Sequence, residues 1–265
     1  MSDNIFFSLA ALATMIPAVV SAFGRNQTRN GMYWAVLGLA VIGPIIWLVV
    51  RSNGEWRTEF STALWITVSA TLLTFAATAL ISREGWRLSP IVMPYMAMLA
   101  FIAVIWENAG QDAPERLDNP WIVFHIAISV LTYAVATTAA CAAFAAFLKE
   151  RALKNKTQTP LIHRLPSVSD CDTLQVGLLT LGEMVLALGL ITGVAASVAH
   201  GGDAFPMDHK TVFAILAFIV IGVLLLIHKR TGVRGRQAAR LVLAAYLLLT
   251  LAYPGVKFVT DVLLS

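Results

Sequence analysis

Between Lys210 and His228 the chain carries no charge at all. The stretch Asp208–Gly235 reads DHKTVFAILAFIVIGVLLLIHKRTGVRG, two polar ends around the apolar run Thr211–Ile227. Eighteen helical steps from Lys210 to His228 rise about 27 Å, close to the roughly 30 Å hydrocarbon core of a bilayer. The run is therefore expected to cross a membrane as a helix, with Asp-x-Lys at one end and a histidine at the other. That histidine leads straight into a cationic loop, KRTGVRGRQAAR. A histidine at such a boundary is either an ordinary interfacial residue or a functional one, and the rest of the chain has to decide.

Only 13% of the residues are charged while 58% are hydrophobic. A soluble chain carries about twice that charge, so an integral membrane protein is expected, all-α and without a soluble domain. The net charge of +4 does not point to nucleic acid, because the basic residues sit in short loops between apolar runs. The first residues, MSDN, lack the positive region of a cleavable signal, so the first apolar run is expected to be retained. Cys141 and Cys171 form no CxxC pair, which argues against a zinc site or a structural disulfide.

Apolar runs of spanning length fall at about 5–23, 32–50, 61–82, 89–106, 121–148, 174–199, 211–228 and 241–262. These predict eight transmembrane helices in a single membrane domain covering 1–265, neighbours antiparallel because the loops are short. Lys and Arg set the orientation. The loops after the first, third, fifth and seventh runs hold 14 of the 19 basic residues. Those loops are expected in the cytoplasm and both termini outside. Six tryptophans, Trp34, Trp47, Trp56, Trp86, Trp106 and Trp121, lie near predicted helix ends, where interfacial anchoring accounts for them. Gly189 and Gly193 give the sixth run a small-xxx-small spacing suited to close helix contact.

Neutral imidazole is the commonest transition-metal ligand. His125 stands about one turn inside the outer end of the fifth run and His228 at the inner end of the seventh. They are expected on the order of 25–30 Å apart, too far to share one iron. Outer candidates to complete a site at His125 are His200, His209 and Met207; His163 is the cytoplasmic candidate for His228. Solvation in loops is the plain alternative for His163, His200 and His209. Glu183 is the one carboxylate deep in a predicted span. It is expected to face the bundle interior, protonated or paired, and such residues are functional candidates. Asp208 and Lys210 open the seventh helix, where a capping and dipole role is the plain alternative. Lys257 and Asp261, four apart, are expected to pair. No Walker loop, GxSxG or HExxH occurs, so neither an ATPase nor a hydrolase is expected.

Taken in order, several segments resemble one family. HIAISVLTYA opens the fifth run at His125; LGLITG closes the polar-poor part of the sixth; Asp208-His209-Lys210-Thr211 opens the seventh; His228 precedes RTGVRGRQA; and LTLAYPGVKFV lies in the last. The pattern is similar to the cytochrome c assembly protein family, the CcsA, CcmC and HemX group of haem-handling membrane proteins, and within it to the eight-helix HemX-like branch. It covers roughly residues 120–262 well and the first four helices in arrangement alone. The haem-transfer members carry a tryptophan-rich segment where this chain reads AHGGDAFPM, and many carry a histidine in the second helix where this chain has Gly43-Pro44. Two of the four family histidines remain, His125 and His228.

The resemblance implies a non-enzymatic, multi-pass protein of the bacterial inner membrane. It would bind or pass on haem b through His125 and His228 as iron ligands, with Asp208 and Lys210 beside the cofactor. The expected partners are haem, membrane lipid and a membrane protein of cytochrome or haem biogenesis. A second expectation is a membrane interaction or regulatory subunit of the same fold that carries no haem; a third is a small-solute transporter with Glu183 in its pathway.

Overall fold

In the computed structural model, residues 2–24, 28–52, 59–107, 120–157, 159–199, 209–231, 236–251 and 255 are described. The helices are α1 (Ser2–Ala13), α2 (Ile16–Ala22), α3 (Gly31–Ser52), α4 (Phe60–Ile81), α5 (Ser89–Ile105), α6 (Pro120–Lys154), the short α7 (Pro160–Arg164), α8 (Val168–Ala199), α9 (His209–Thr231) and α10 (Arg236–Thr250). One 3-10 turn, Gly85–Leu88, precedes α5, and no strand occurs among the described residues. The all-α expectation holds, and its cause is physical: in hydrocarbon every backbone N–H and C=O must be satisfied within the chain, which a helix does alone.

Among the described residues, seven helical stretches are long and apolar enough to cross a membrane: Ile5–Ala22, Gly31–Arg51, Phe60–Ile81, Gly85–Ile105, Trp121–Lys154, Val168–Val198 and Thr211–Arg230. The run predicted at 241–262 begins as α10, 15 residues long, and most of its remainder lies outside the described residues. Lys257 and Asp261 also lie outside them.

Element ends differ from the apolar runs for identifiable reasons. The first run is two helices, broken at Thr14–Met15, because Pro17 near the start of α2 has no N–H to continue the ladder. Gly43 of α3 packs against that break: a Cβ there would lie 2.0 Å from Thr14 Oγ1. A side chain at Gly43 would thus have to displace Thr14. Helix α6 runs six residues past its predicted end, through the good helix formers LKERALK. It stops where Lys156 turns left-handed (φ 51°), with Thr157 N–H donating to Ala152 O at 3.0 Å. Helix α8 starts six residues early on a reciprocal cap: Asp170 N–H donates to Ser167 Oγ (3.1 Å), and Ser167 N–H donates to Asp170 Oδ2 (3.3 Å).

The chain forms two compact units. The first is built from Met1–Arg116 and His163–Leu165, the second from Leu117–Ile162 and Pro166–Val256. In the first, α1, α2, α3, α4 and α5 pack together. Arg87 holds the 163–165 segment by donating to the carbonyls of Arg164 (2.9 Å) and His163 (3.0 Å). In the second, α6 packs along α8 and α10, and α9 touches α8 and α10. Its core interleaves the alanine face of α6 (Ala136, Ala139, Ala143) with Leu179 and Leu186 of α8, Ala217 and Ile221 of α9, and Ala239 and Val242 of α10. Several hydroxyls inside spans return to their own helix, as Ser69 to Trp65 O (2.8 Å) and Thr137 to Tyr133 O (2.7 Å), which satisfies them without an interhelical partner.

Candidate functional site

His125 lies on the second turn of α6, half-buried against α8. Its Nδ1 is 3.2 Å from Thr192 Oγ1. The Thr192 hydroxyl donates back along its own helix, to Leu188 O at 2.9 Å and Gly189 O at 3.1 Å. The next residue, Gly193, makes the approach possible, because a Cβ there would sit 3.0 Å from His125 Cε1. One and three turns away the contact is ordinary: hypothetical Cβ atoms at Gly189 and Gly182 would each lie 3.4 Å from a methyl of Ile128 and Val135. The small-residue spacing of α8 is thus a groove for the His125–Val135 face of α6, and the histidine occupies its tightest point. Apolar side chains flank it on the surface: Trp121, Val123 and Phe124 from α6, Leu188 and Ile191 from α8.

His228 lies in the last turn of α9, half-buried and followed by exposed Lys229 and Arg230. Its distance from His125 follows from chain geometry. A Cβ on Gly222 of α9 would lie 3.0 Å from Glu183 Oε1 of α8, so those two positions are level. The ten steps from Ala199 to His209 span at most about 35 Å. That is too short for the two helices to run parallel, so they are antiparallel. Thr192 is nine residues from Glu183 and His228 six from Gly222, in opposite directions along the bundle. His125 and His228 are therefore roughly 22 Å apart along the helix axes, too far for one iron.

Glu183 is half-buried where α8 meets α9, and its Oε2 is enclosed without a hydrogen-bond partner among the described residues. Asp208, His200 and Met207 lie outside the described residues; His209 and Lys210 are described only as the first residues of α9. His163 is exposed on α7. Cys141 and Cys171 are buried and form no disulfide among the described residues. Among the described residues no group of three or more His, Cys, Asp or Glu could hold a metal ion.

A polar cluster that sequence reasoning missed lies in the first unit. Arg51, at the end of α3, is ion-paired through its two Nη atoms to Glu59 and Glu107. The three side chains are only 6%, 7% and 1% exposed. Ser8 of α1 and Ser61 of α4 each donate to Glu107 Oε2 at 3.0 Å. The guanidinium carbon lies 5.7 Å from the Trp47 ring, which stacks on Phe7. Trp47, expected at the interface, is instead 3% exposed, because it forms the floor of this cluster. In the sequence Arg51 and Glu107 stand at the edges of apolar runs, where a charge marks a boundary. Helical phasing of Trp47 with Arg51, four apart, is the signal that could have found them. A second missed set, in the second unit, joins Tyr133 Oη to Tyr246 Oη (3.0 Å) and to Thr250 Oγ1 (3.1 Å), tying α6 to α10.

For the haem that the resemblance implies, the His125 surroundings fit a single histidine that would hold the iron. The ring has one nitrogen engaged by Thr192, and apolar surface lies on both helices beside it.

Comparison with known proteins bears on both units. A protein of Azospirillum brasilense, "Uncharacterized 28.8 kDa protein in nifR3-like 5'region", is 48% identical over the whole of both chains. The inner membrane protein YpjD of Escherichia coli (strain K12) is 25% identical, over 96% of this chain and 94% of its own. The cytochrome c biogenesis protein CcsA of Prochlorococcus marinus (strain NATL2A) is 22% identical over 85% of each. No solved structure matches. The family profile described as "Cytochrome C assembly protein" matches residues 38–264, from α3 through all of the second unit. With that match covering most of its length, the chain belongs to the cytochrome c assembly protein family.

Proposed function

We propose that the protein is a haem-handling accessory of cytochrome c biogenesis, a multi-pass protein of the bacterial inner membrane that binds or passes on haem. The observation that carries this reading is the seat of His125: an imidazole in an apolar helix groove, engaged at one nitrogen, in a member of a cytochrome c assembly family. The relatives named for the inner membrane and for cytochrome c biogenesis support the location and the pathway. Bound haem would supply a redox-active iron. The chain itself would supply His125 to hold the iron near one membrane face and apolar flanks that exclude water. His228 would serve a second site near the other face, with Lys229 and Arg230 available to propionates. Asp208 and Lys210 would stand beside the cofactor at the His125 end. The topology that goes with this reading has eight crossings and both termini outside, which terminal reporter fusions check.

The direct test is the reduced-minus-oxidised absorption spectrum of the purified protein, wild type beside His125→Ala and His228→Ala. A b-type spectrum lost in one variant assigns the site. A flat wild-type spectrum even after added hemin sinks the haem reading. It would leave a membrane interaction or regulatory subunit, which co-purification with a second membrane chain would then support.

A further inference from the structure

We propose that Thr192 is a positioning residue for His125: it fixes the imidazole as the Nδ1–H tautomer and so leaves the electron pair on Nε2. A threonine hydroxyl has one proton and two acceptor lone pairs. Thr192 Oγ1 lies 2.9 Å from Leu188 O and 3.1 Å from Gly189 O, and carbonyl oxygens only accept. With the hydroxyl proton turned to its own helix, the oxygen offers a lone pair to His125 Nδ1, 3.2 Å away, and this arrangement favours the proton on Nδ1. A neutral imidazole has a single N–H, which leaves Nε2 unprotonated.

Gly193 supplies the second, independent half of the seat. Its missing side chain lets the Cε1 edge of the ring come to the α8 backbone, a hypothetical Cβ being 3.0 Å from Cε1. That edge lies between the two nitrogens, so the same contact that brings Nδ1 to Thr192 also limits how far the ring can swing. A β-branched residue bonded back to its own helix has few rotamers, which makes the acceptor a fixed point. Histidines that ligate metals generally pass their other N–H to such an acceptor, and loss of that partner costs 10–100-fold in metal affinity. Here the acceptor is a neutral hydroxyl supplied by the helix that forms the groove. The identification of Nε2 as a haem-ligating atom rests on the proposed function; the tautomer and its dependence on Thr192 do not.

The test separates the two. Full-length protein with 15N-labelled histidine, in lipid nanodiscs, reports the tautomer of His125 by NMR, the resonance being assigned by its absence in His125→Gln. The expected result is the Nδ1–H form in wild type and in Thr192→Ser, and a several-fold shift of population toward Nε2–H in Thr192→Val. Thr192→Ala provides the same loss of the hydroxyl if the valine variant does not fold. An Nε2–H wild type, or an unchanged tautomer in Thr192→Val and Thr192→Ala, overturns the proposal. Hemin titration of the same samples forms the second arm. Binding weakened about 10–100-fold in Thr192→Val, with Thr192→Ser close to wild type, supports Nε2 as the ligating atom. A tautomer that shifts while hemin binds unchanged overturns that assignment. If the wild type binds no hemin, the haem reading falls, and the NMR arm still decides what Thr192 does.

Discussion

The Arg51 cluster of the first unit and the His125 seat of the second both place polar side chains among apolar helices, and they do so in opposite ways. The cluster is closed. One guanidinium serves two carboxylates, two serine hydroxyls serve the Oε2 of Glu107, and an aromatic floor covers what is left. The seat is open. Thr192 engages one nitrogen of a half-buried ring, and the flanking side chains face outward rather than over it. A closed arrangement pairs its charges with one another and holds four segments of chain together. An open one keeps a donor atom for something else. The difference teaches that burial of charge in this protein marks architecture, while incomplete burial of a smaller polar group marks the candidate site.

The comparison breaks most visibly at Arg51. Replacing it with Met, of similar reach, removes the guanidinium that pairs with buried Glu107, and removing one partner of a buried pair typically costs about 3–5 kcal/mol. Arg51→Met is expected to lower the thermal midpoint strongly and to reduce the amount of protein recovered from membranes. The same measurements on His125→Ala should show a much smaller loss. If Arg51→Met unfolds no more readily than His125→Ala, the cluster is not the structural centre of its unit and the contrast fails.

A finer test compares two glycines of one helix. Gly193 meets the imidazole at once, whereas a Cβ on Gly177 would have nothing within 4 Å. Gly177→Ala should be neutral or raise stability by up to about 0.8–1.0 kcal/mol, the helix-propensity gain. Gly193→Ala gains the same propensity but must push the ring, and overpacking costs about 1–3 kcal/mol. The unfolding midpoints are expected to move in opposite directions, and the His125 resonance should shift in Gly193→Ala alone. Equal behaviour of the two would mean that the groove tolerates a methyl group and does not hold the histidine.

Much of this was legible in the sequence, and the parts that were not have a common cause. Runs without charge pointed to eight spans, and seven are met among the described residues, because a bilayer imposes a length that few other structures require. His125 and the Gly189–Gly193 spacing were each visible, one as a candidate ligand and one as a packing motif. That they form one site was not visible, because it depends on the register of α6 against α8, which pattern along a single helix does not contain. Arg51, Glu59 and Glu107 failed for the same reason more completely. Each stands at the end of an apolar run, where a charge reads as a boundary marker, and only the convergence of α1, α3, α4 and α5 turns the three into an internal cluster. Pro17 was in plain view, yet a continuous apolar run hid the break it makes at Thr14–Met15.

Glu183 tests where the line between the two arrangements falls. It was expected to face the bundle interior, and it lies against Gly222 of α9, with Oε2 enclosed and no hydrogen-bond partner among the described residues. If it belongs to the closed class, a partner depends on it, and removing the carboxylate should cost as much as breaking the Arg51 cluster. The geometry argues otherwise. A polar atom enclosed without a partner costs about 1–3 kcal/mol, so replacing it removes a penalty and orphans nothing described. Glu183→Met keeps the length and flexibility needed to lie across Gly222. It is expected to leave the unfolding midpoint unchanged or to raise it slightly, with Glu183→Gln close to wild type. A stable, folded Glu183→Met protein that loses activity in a cytochrome c maturation assay would put Glu183 with His125, as a polar group kept for use. A large fall in stability would put it with Arg51, and would mean that residues outside the described set complete its pairing.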